Sequence, residues 1–304
     1  MPRISHARHA HTSTCDGSSA TDSGLSVVIP VSEDVRPQRT RTAHSFLGDL
    51  SLSLRHPHYW TYSTWLQLGL KYRRTTLGPI WMAVGPAFFV VFLGYLYSQV
   101  NTVAPEVFVP HLAVGYVAWT LISGYVVGGS TVYIRRRSEI LQGNMRLTDL
   151  SLAASFETFL TFLHQAVVIV GVYVFFGMLP PPSGVFSLLG LLLLFLTGFC
   201  VMTFLGIIGA RYRDIVEVIS SVMRIMFFIT PIIWIPKDGA GGFLGAYLVF
   251  NPFYHYLEIV RAPLLGTPIS PLSFAVVAGL SVVILLATLW AYRTHVRGVP
   301  LWVL

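Results

Sequence analysis

Residues 185–210 read VFSLLGLLLLFLTGFCVMTFLGIIGA, a run without one charged side chain. A bilayer's hydrocarbon core, about 30 Å thick, is crossed by about 20 apolar residues in an α-helix. The run is long enough to span. Five further stretches meet the same requirement: Leu77–Ser98, His111–Tyr133, Ala154–Met178, Ile215–Ile235 and Leu272–Tyr292. The chain is therefore expected to be an all-α integral membrane protein with six transmembrane helices, residues 185–210 being the fourth.

Composition points the same way. Of 304 residues, 54% are hydrophobic and 11% charged, where a soluble domain carries roughly 25% charged. The net charge is +7, yet Lys71 and Lys237 are the only lysines, and the arginines form no stripe suited to nucleic acid. They fit a topological role instead, holding cytoplasmic loops inside. Lys71, Arg73 and Arg74 precede the first span, and Arg135, Arg136, Arg137 and Arg146 follow the second. Arg211 and Arg213 follow the fourth, and Arg293 and Arg297 the sixth. The opposite loops hold only Lys237 and Arg261. Both termini are expected in the cytoplasm, with Arg135–Arg137 as a topological anchor rather than a phosphate site.

Three segments are not spans. Residues 1–44 are rich in Ser, Thr, Arg and His and lack an apolar signal region, so a disordered cytoplasmic tail is expected. His6, His9 and His11 read there as solvated residues. Residues 45–76 mix Trp60, Tyr62 and Trp65 with polar positions, which suits an amphipathic helix at the cytoplasmic interface. Residues 77–304 would form the six-helix domain. Within it, residues 241–266 carry an apolar run, Phe243–Phe250, that is too short to cross and is broken at Asn251-Pro252, which suggests a re-entrant outer hairpin between spans five and six.

Several chemistries are missing. Lys71 is followed by Tyr72, and Lys237 lies between Pro236 and Asp238, so neither belongs to a phosphate-binding P-loop. No nucleophile elbow, zinc-protease motif or paired carboxylates on one helix occur. Cys15 and Cys200 define no metal or disulfide framework. No catalytic residue, metal or cofactor is expected in this chain, and any hydrolytic energy must come from another polypeptide.

Charges inside spans are costly and usually functional. Glu217 and Arg224 share one face of span five, about 10 Å apart, and suggest a pore-lining face; Pro231 should bend or end that helix. Tyr95, Tyr97, Tyr116 and Trp119 cluster toward the outer ends of spans one and two. They suit an interfacial belt or a set of stacking platforms for sugar rings. His164 and Gln165 suit buried hydrogen bonding rather than a proton relay. Gly124 and Gly128 have the spacing of close helix packing.

Several strings resemble one family in order. Lys71-Tyr72-Arg73-Arg74-Thr75-Thr76-Leu77-Gly78-Pro79-Ile80-Trp81 resembles the opening of ABC-2 type permeases that export polysaccharides. His111–Trp119 is similar to their second span, Ala210–Ile215 to the turn before their fifth, and Phe228–Trp234 to the helix that follows. Asn251–His255 with Glu258–Leu264 resembles their outer re-entrant segment, and Pro300-Leu301-Trp302 their C-terminal tail.

The resemblance implies the permease of an O-antigen, capsule, galactan or teichoic-acid exporter in the bacterial cytoplasmic (inner) membrane. It implies a homodimer with two copies of a P-loop ATPase, which would bind the ATP and Mg, and a lipid-linked polysaccharide as cargo. Arg224, Glu217, Tyr95, Tyr97, Tyr116 and Trp119 would line the channel, and Phe253, Tyr254, Tyr256 and Glu258 would form an outer gate. Residues 140–151 would couple to the ATPase through Arg146, Leu147, Thr148 and Asp149. The segment departs from the family there, because Met145-Arg146-Leu147 stands where relatives carry Leu-Pro or Phe-Pro. The alternatives are an ABC-2 exporter of a small lipid or drug, a membrane-embedded glycan-modifying enzyme, and an ATP-independent transporter. An enzyme needs convergent acids, whereas Asp149, Glu157 and Asp214 lie in separate segments; an ATP-independent transporter would show an internal repeat.

Overall fold

In a computed structural model, residues 45–73, 78–100, 103–143, 145–236 and 242–304 are described. The expected tail over residues 1–44 lies outside them, as do Arg74 and Lys237. The helices run α1 Phe46–Arg55, α2 His58–Arg73, α3 Trp81–Val100, α4 Pro105–Arg135, α5 Arg137–Leu141 and α6 Leu147–Phe175. They continue as α7 Val185–Arg211, α8 Asp214–Ile229, α9 Gly242–Phe250, α10 Pro252–Leu265, α11 Pro271–His295 and α12 Val299–Trp302.

Helix α4 is the axis of the bundle, packed by α3, α6, α7, α8 and α10. Its 31 residues extend about 46 Å. Two glycines of α7 set its closest neighbours. A Cβ on Gly209 would collide with the Ser130 carbonyl of α4, and one on Gly190 would lie 2.6 Å from the Ile259 oxygen of α10. Pro263 has no N–H to offer Ile259, four residues earlier, so that carbonyl is free to face α7. The expected Gly124–Gly128 pair serves two partners: Gly124 meets Thr158 of α6, and Gly128 meets Met202 of α7.

Side chains satisfy the last carbonyls of α10, which a helix leaves open. Ser187 donates to Val260 O at 2.8 Å, Ser183 to Pro263 O at 3.1 Å and Tyr173 to Leu264 O at 2.7 Å. Gly266 closes the helix at φ 71°, the left-handed cap that glycine adopts readily. At the other end of the bundle, α1 and α2 lie against α6. Ser53 and Thr148 hydroxyls meet at 2.8 Å, and Thr64 donates to Ala153 O at 3.1 Å.

The expectation of six spans is only partly met. Among the described residues, four helical stretches are long and apolar enough to cross a membrane: Pro105–Arg135, Leu147–Phe175, Pro182–Arg211 and Pro271–His295. The first expected span survives as a shorter apolar stretch, Trp81–Tyr97. The fifth is a 16-residue helix, α8, that stops at Ile229 rather than Ile235. Thr230 precedes Pro231 and is driven to extended backbone, ψ 139°. At about 24 Å, α8 falls short of a bilayer core by itself. Between α8 and α11 stand two helices joined at Asn251, whose side chain accepts from Phe253 N and Tyr254 N.

Candidate functional site

Helix α8 packs mainly against α4, with a smaller contact to α7. Met223 is its one buried residue, whereas Glu217, Ser221, Arg224 and Phe228 follow each other along an exposed stripe. Between this helix and α3–α4 runs an open groove of about 650 Å³. Glu217, Ser220 and Arg224 line it from α8, and Tyr116, Trp119, Thr120 and Ser123 from α4. Arg224 donates to Ser221 Oγ at 3.0 Å, one turn back on its own helix.

The groove's upper wall is aromatic. Phe89 stacks on Tyr116 with ring centroids 4.2 Å apart. Phe227 stands within about the same envelope of three rings: 6.0 Å from Phe89, 6.2 Å from Tyr116 and 6.0 Å from Trp119. Phe253 of α10 meets Trp119 edge-on at 5.6 Å. Trp119 is consequently only 5% exposed, so its ring supports the wall more than it offers a free face. Four of the six expected channel residues thus share one groove: Arg224, Glu217, Tyr116 and Trp119. Tyr95 and Tyr97 lie elsewhere. Tyr95 lines an apolar hollow between α3 and α6, and Tyr97 stacks on Phe108 at 4.6 Å.

Sequence reasoning missed Phe89, Phe227, Ser123 and Ser220. The signal was available for two of them, since Ser220 and Phe227 stand four before and three after Arg224, positions that face the same way on a helix.

The residues expected at an outer gate lie on α10. Phe253 and Tyr256 border an apolar hollow between α4, α7 and α11. Tyr254 is half-buried with an edge contact to His255. Glu258 is held by Arg261 at 2.8 Å. Arg261, 4% exposed, also donates to Pro231 O at 2.6 Å and lies 3.1 Å from His111 Nε2. Arg261, expected as a loop charge, is instead a buried clasp joining α10, α4 and the end of α8.

The opposite end holds the expected coupling segment. Leu147, Thr148 and Asp149 are buried, and Arg146 is half-buried. Asp149 Oδ2 accepts from Arg146 N at 3.0 Å, capping α6. The Arg146 guanidinium lies 4.0 Å from Asp49 of α1 and 3.9 Å from Asp149. Tyr292 of α11 donates to Asp49 at 2.7 Å. The surface of this stretch is made instead by Arg137, Ser138, Leu141 and Gln142.

Arg136, expected as part of a topological anchor, is also packed within the bundle. It is 5% exposed and tied to Ser63 of α2 at 3.1 Å, Glu139 at 3.4 Å and Glu157 of α6 at 3.8 Å. Along α2, Trp60 is half-buried, donating to Ser53 O at 3.0 Å with its ring edge-on to Phe156, while Tyr62 and Trp65 are exposed.

The family described as ABC-2 type transporter matches residues 60–265, which include all but the first two residues of α2 and the whole of α3 to α10. No curated protein matches the chain. Members of this family are membrane components of transporters and generally pair with an ATPase partner. An apolar helical bundle without a P-loop lysine, matched over most of its length, belongs to the ABC-2 type transporter family.

Proposed function

We propose that the chain is the permease subunit of an ATP-driven exporter of a lipid-linked polysaccharide, acting as a homodimer with two copies of a P-loop ATPase. The observation that carries this reading is the groove beside α8, where aromatic rings, hydroxyls and one charge of each sign line one open path. Rings accept the apolar faces of sugars, and Ser123, Ser220, Glu217 and Arg224 can exchange hydrogen bonds with sugar hydroxyls. The exposed stripe of α8 combines Glu217 and Arg224 with Val218, Val222, Ile225 and Phe228. Charges of this kind are disfavoured against lipid, so the stripe faces a second copy across a shared aqueous channel.

The basic ends of α4, α7 and α11 support a cytoplasmic location for that side of the bundle, in a bacterial inner membrane with both termini inside. The ATPase would seat against Arg137, Ser138, Leu141 and Gln142 and bind ATP and Mg. Displacement there would pass through Arg146, Leu147, Thr148 and Asp149 into α1 and α11. The α9–α10 pair would lie re-entrant at the outer side, with Phe253, Tyr254, Tyr256 and Glu258 flanking the exit.

The test is export by Arg224→Ala. The variant assembles with its ATPase, surface glycan is lost, and lipid-linked glycan accumulates inside the cell. Normal glycan export by an assembled variant removes the proposed role; retention of a small lipid or drug in place of glycan favours the alternative cargo.

A further inference from the structure

The outer surface of α11 changes character along one stripe. Val283, Leu286 and Trp290 follow each other at helical spacing, each more than half exposed. Arg293, also exposed, continues the stripe, and exposed Arg297 follows four residues on. Apolar, then Trp, then Arg is the order met on leaving a bilayer, because indole rings settle at headgroup level and arginines reach past them toward the phosphates. The hydrocarbon boundary on this face of α11 therefore lies near Trp290.

A chain of rings brings a second arginine to that boundary. Past α11 the chain turns at Gly298, which packs so closely under Trp302 that an added Cβ would lie 2.7 Å from the indole. Trp302 thereby joins α11 to the end of α7. Its ring lies 5.9 Å from that of His295, which is 5.8 Å from Trp290. The Arg211 guanidinium, at the last residue of α7, stands 5.2 Å from the Trp302 ring and 5.2 Å from that of Tyr212. Stacking of this kind orients a guanidinium and leaves its N–H edge free to donate.

That edge has no anion within the protein. Arg136, Arg146 and Arg261 each have a carboxylate within 4.0 Å. Among the described residues Arg211, Arg293 and Arg297 have none, and Asp214, three residues after Arg211, forms no ion pair. We infer that this corner, made by the ends of α7 and α11 with α12, binds the phosphodiester headgroup of an anionic phospholipid. Arg211 and Arg293 donate charge-assisted hydrogen bonds to the phosphate oxygens, and Trp290 and exposed Leu301 offer apolar surface to the chains beneath. The stripe selects a lipid over a protein partner: the face that carries Val283 and Leu286 in hydrocarbon delivers Arg293 to its edge. A basic corner between membrane helices attracts anionic headgroups, each arginine near the surface adding about fivefold in affinity. The inference does not depend on the cargo assigned to the groove beside α8.

The experiment counts lipids bound to the detergent-solubilised full-length protein by native mass spectrometry, during titration with phosphatidylglycerol or phosphatidylcholine. Phosphatidylglycerol binds about tenfold or more tightly than phosphatidylcholine. Arg211→Gln and Arg293→Gln each weaken it about fivefold, and together more, without changing phosphatidylcholine binding. Trp302→Leu keeps every charge yet weakens it too, because Arg211 loses its platform. Arg135→Gln, which removes an equal charge from the α4 end beside α6, leaves it unchanged. Equal affinity for the two lipids in the unaltered protein overturns the site, and that comparison stands even where a variant fails to fold. A monodisperse Arg211→Gln/Arg293→Gln protein with undiminished phosphatidylglycerol binding also overturns it, as does an equal loss in Arg135→Gln, which would report overall charge. If the double variant keeps its lipid preference but no longer co-purifies with an ATPase, the corner is a protein seat and the lipid assignment falls.

Discussion

The guanidinium of Arg261 donates to the carbonyl of Pro231 at 2.6 Å while its other nitrogen holds Glu258 at 2.8 Å. One buried side chain therefore fastens the broken end of α8 to α10. The carbonyl is in reach because Pro231 ends the helix, and the carboxylate because Glu258 sits one turn before Arg261. His111, 3.1 Å away, brings the start of α4 into the same cluster.

Removing that clasp leaves a carboxylate and a carbonyl without their donor. Breaking a buried pair from one side costs about 3–5 kcal/mol. Arg261→Ala is expected to lower the thermal midpoint of the detergent-solubilised protein markedly. Arg261→Lys recovers little, because a single ammonium cannot reproduce the fork that reaches Pro231 and Glu258 together. Unfolding curves for the three proteins check this, and equal midpoints would contradict it.

Tyr292 and Asp49 link α11 to α1 beside the coupling segment. Tyr292→Phe keeps the ring against Phe46, whose centroid lies 5.3 Å away, but removes the hydroxyl donor. The expected loss is about 1–3 kcal/mol, the cost of leaving a buried acceptor unpaired. In an Asp49→Leu background the same substitution is nearly neutral. A double-mutant cycle measures the coupling, and additive losses would show that the two side chains do not act together.

The α4–α7 seam is the tightest in the bundle. Gly209→Leu forces side-chain atoms onto the Ser130 backbone, where no rotamer can relieve the contact. Overpacking of this kind costs about 1–3 kcal/mol or more, so the yield of monodisperse protein should fall. Gly69→Ala in α2 is the control. No heavy atom lies within 4 Å of its added methyl, and alanine favours the helix by about 1 kcal/mol.

Much of this was legible from the chain alone. Uncharged runs such as residues 185–210 announce helices in lipid, because length and hydropathy suffice. That Glu217 and Arg224 share one face of α8 followed from their seven-residue spacing. What escaped depends on depth and on contacts between distant segments. Pro231 was visible, yet whether α8 bends or ends there depends on Thr230 and on the partner found by the Pro231 carbonyl. Arg136 and Arg261 read as loop charges because sequence does not show that Ser63 and Glu157, or His111 and Pro231, close around them. Leu147, Thr148 and Asp149 stood in the expected coupling stretch. That α1 would fold over them follows from the Ser53–Thr148 contact, which spans 95 positions.

The central claim is that this bundle is driven by a separate ATPase. It is tested most directly by purifying the full-length protein from its native membrane in mild detergent and weighing the intact complex by native mass spectrometry. Two permease copies with two copies of a P-loop ATPase are predicted. An intact, folded protein that carries no ATPase, from membranes in which glycan export is active, would contradict the account.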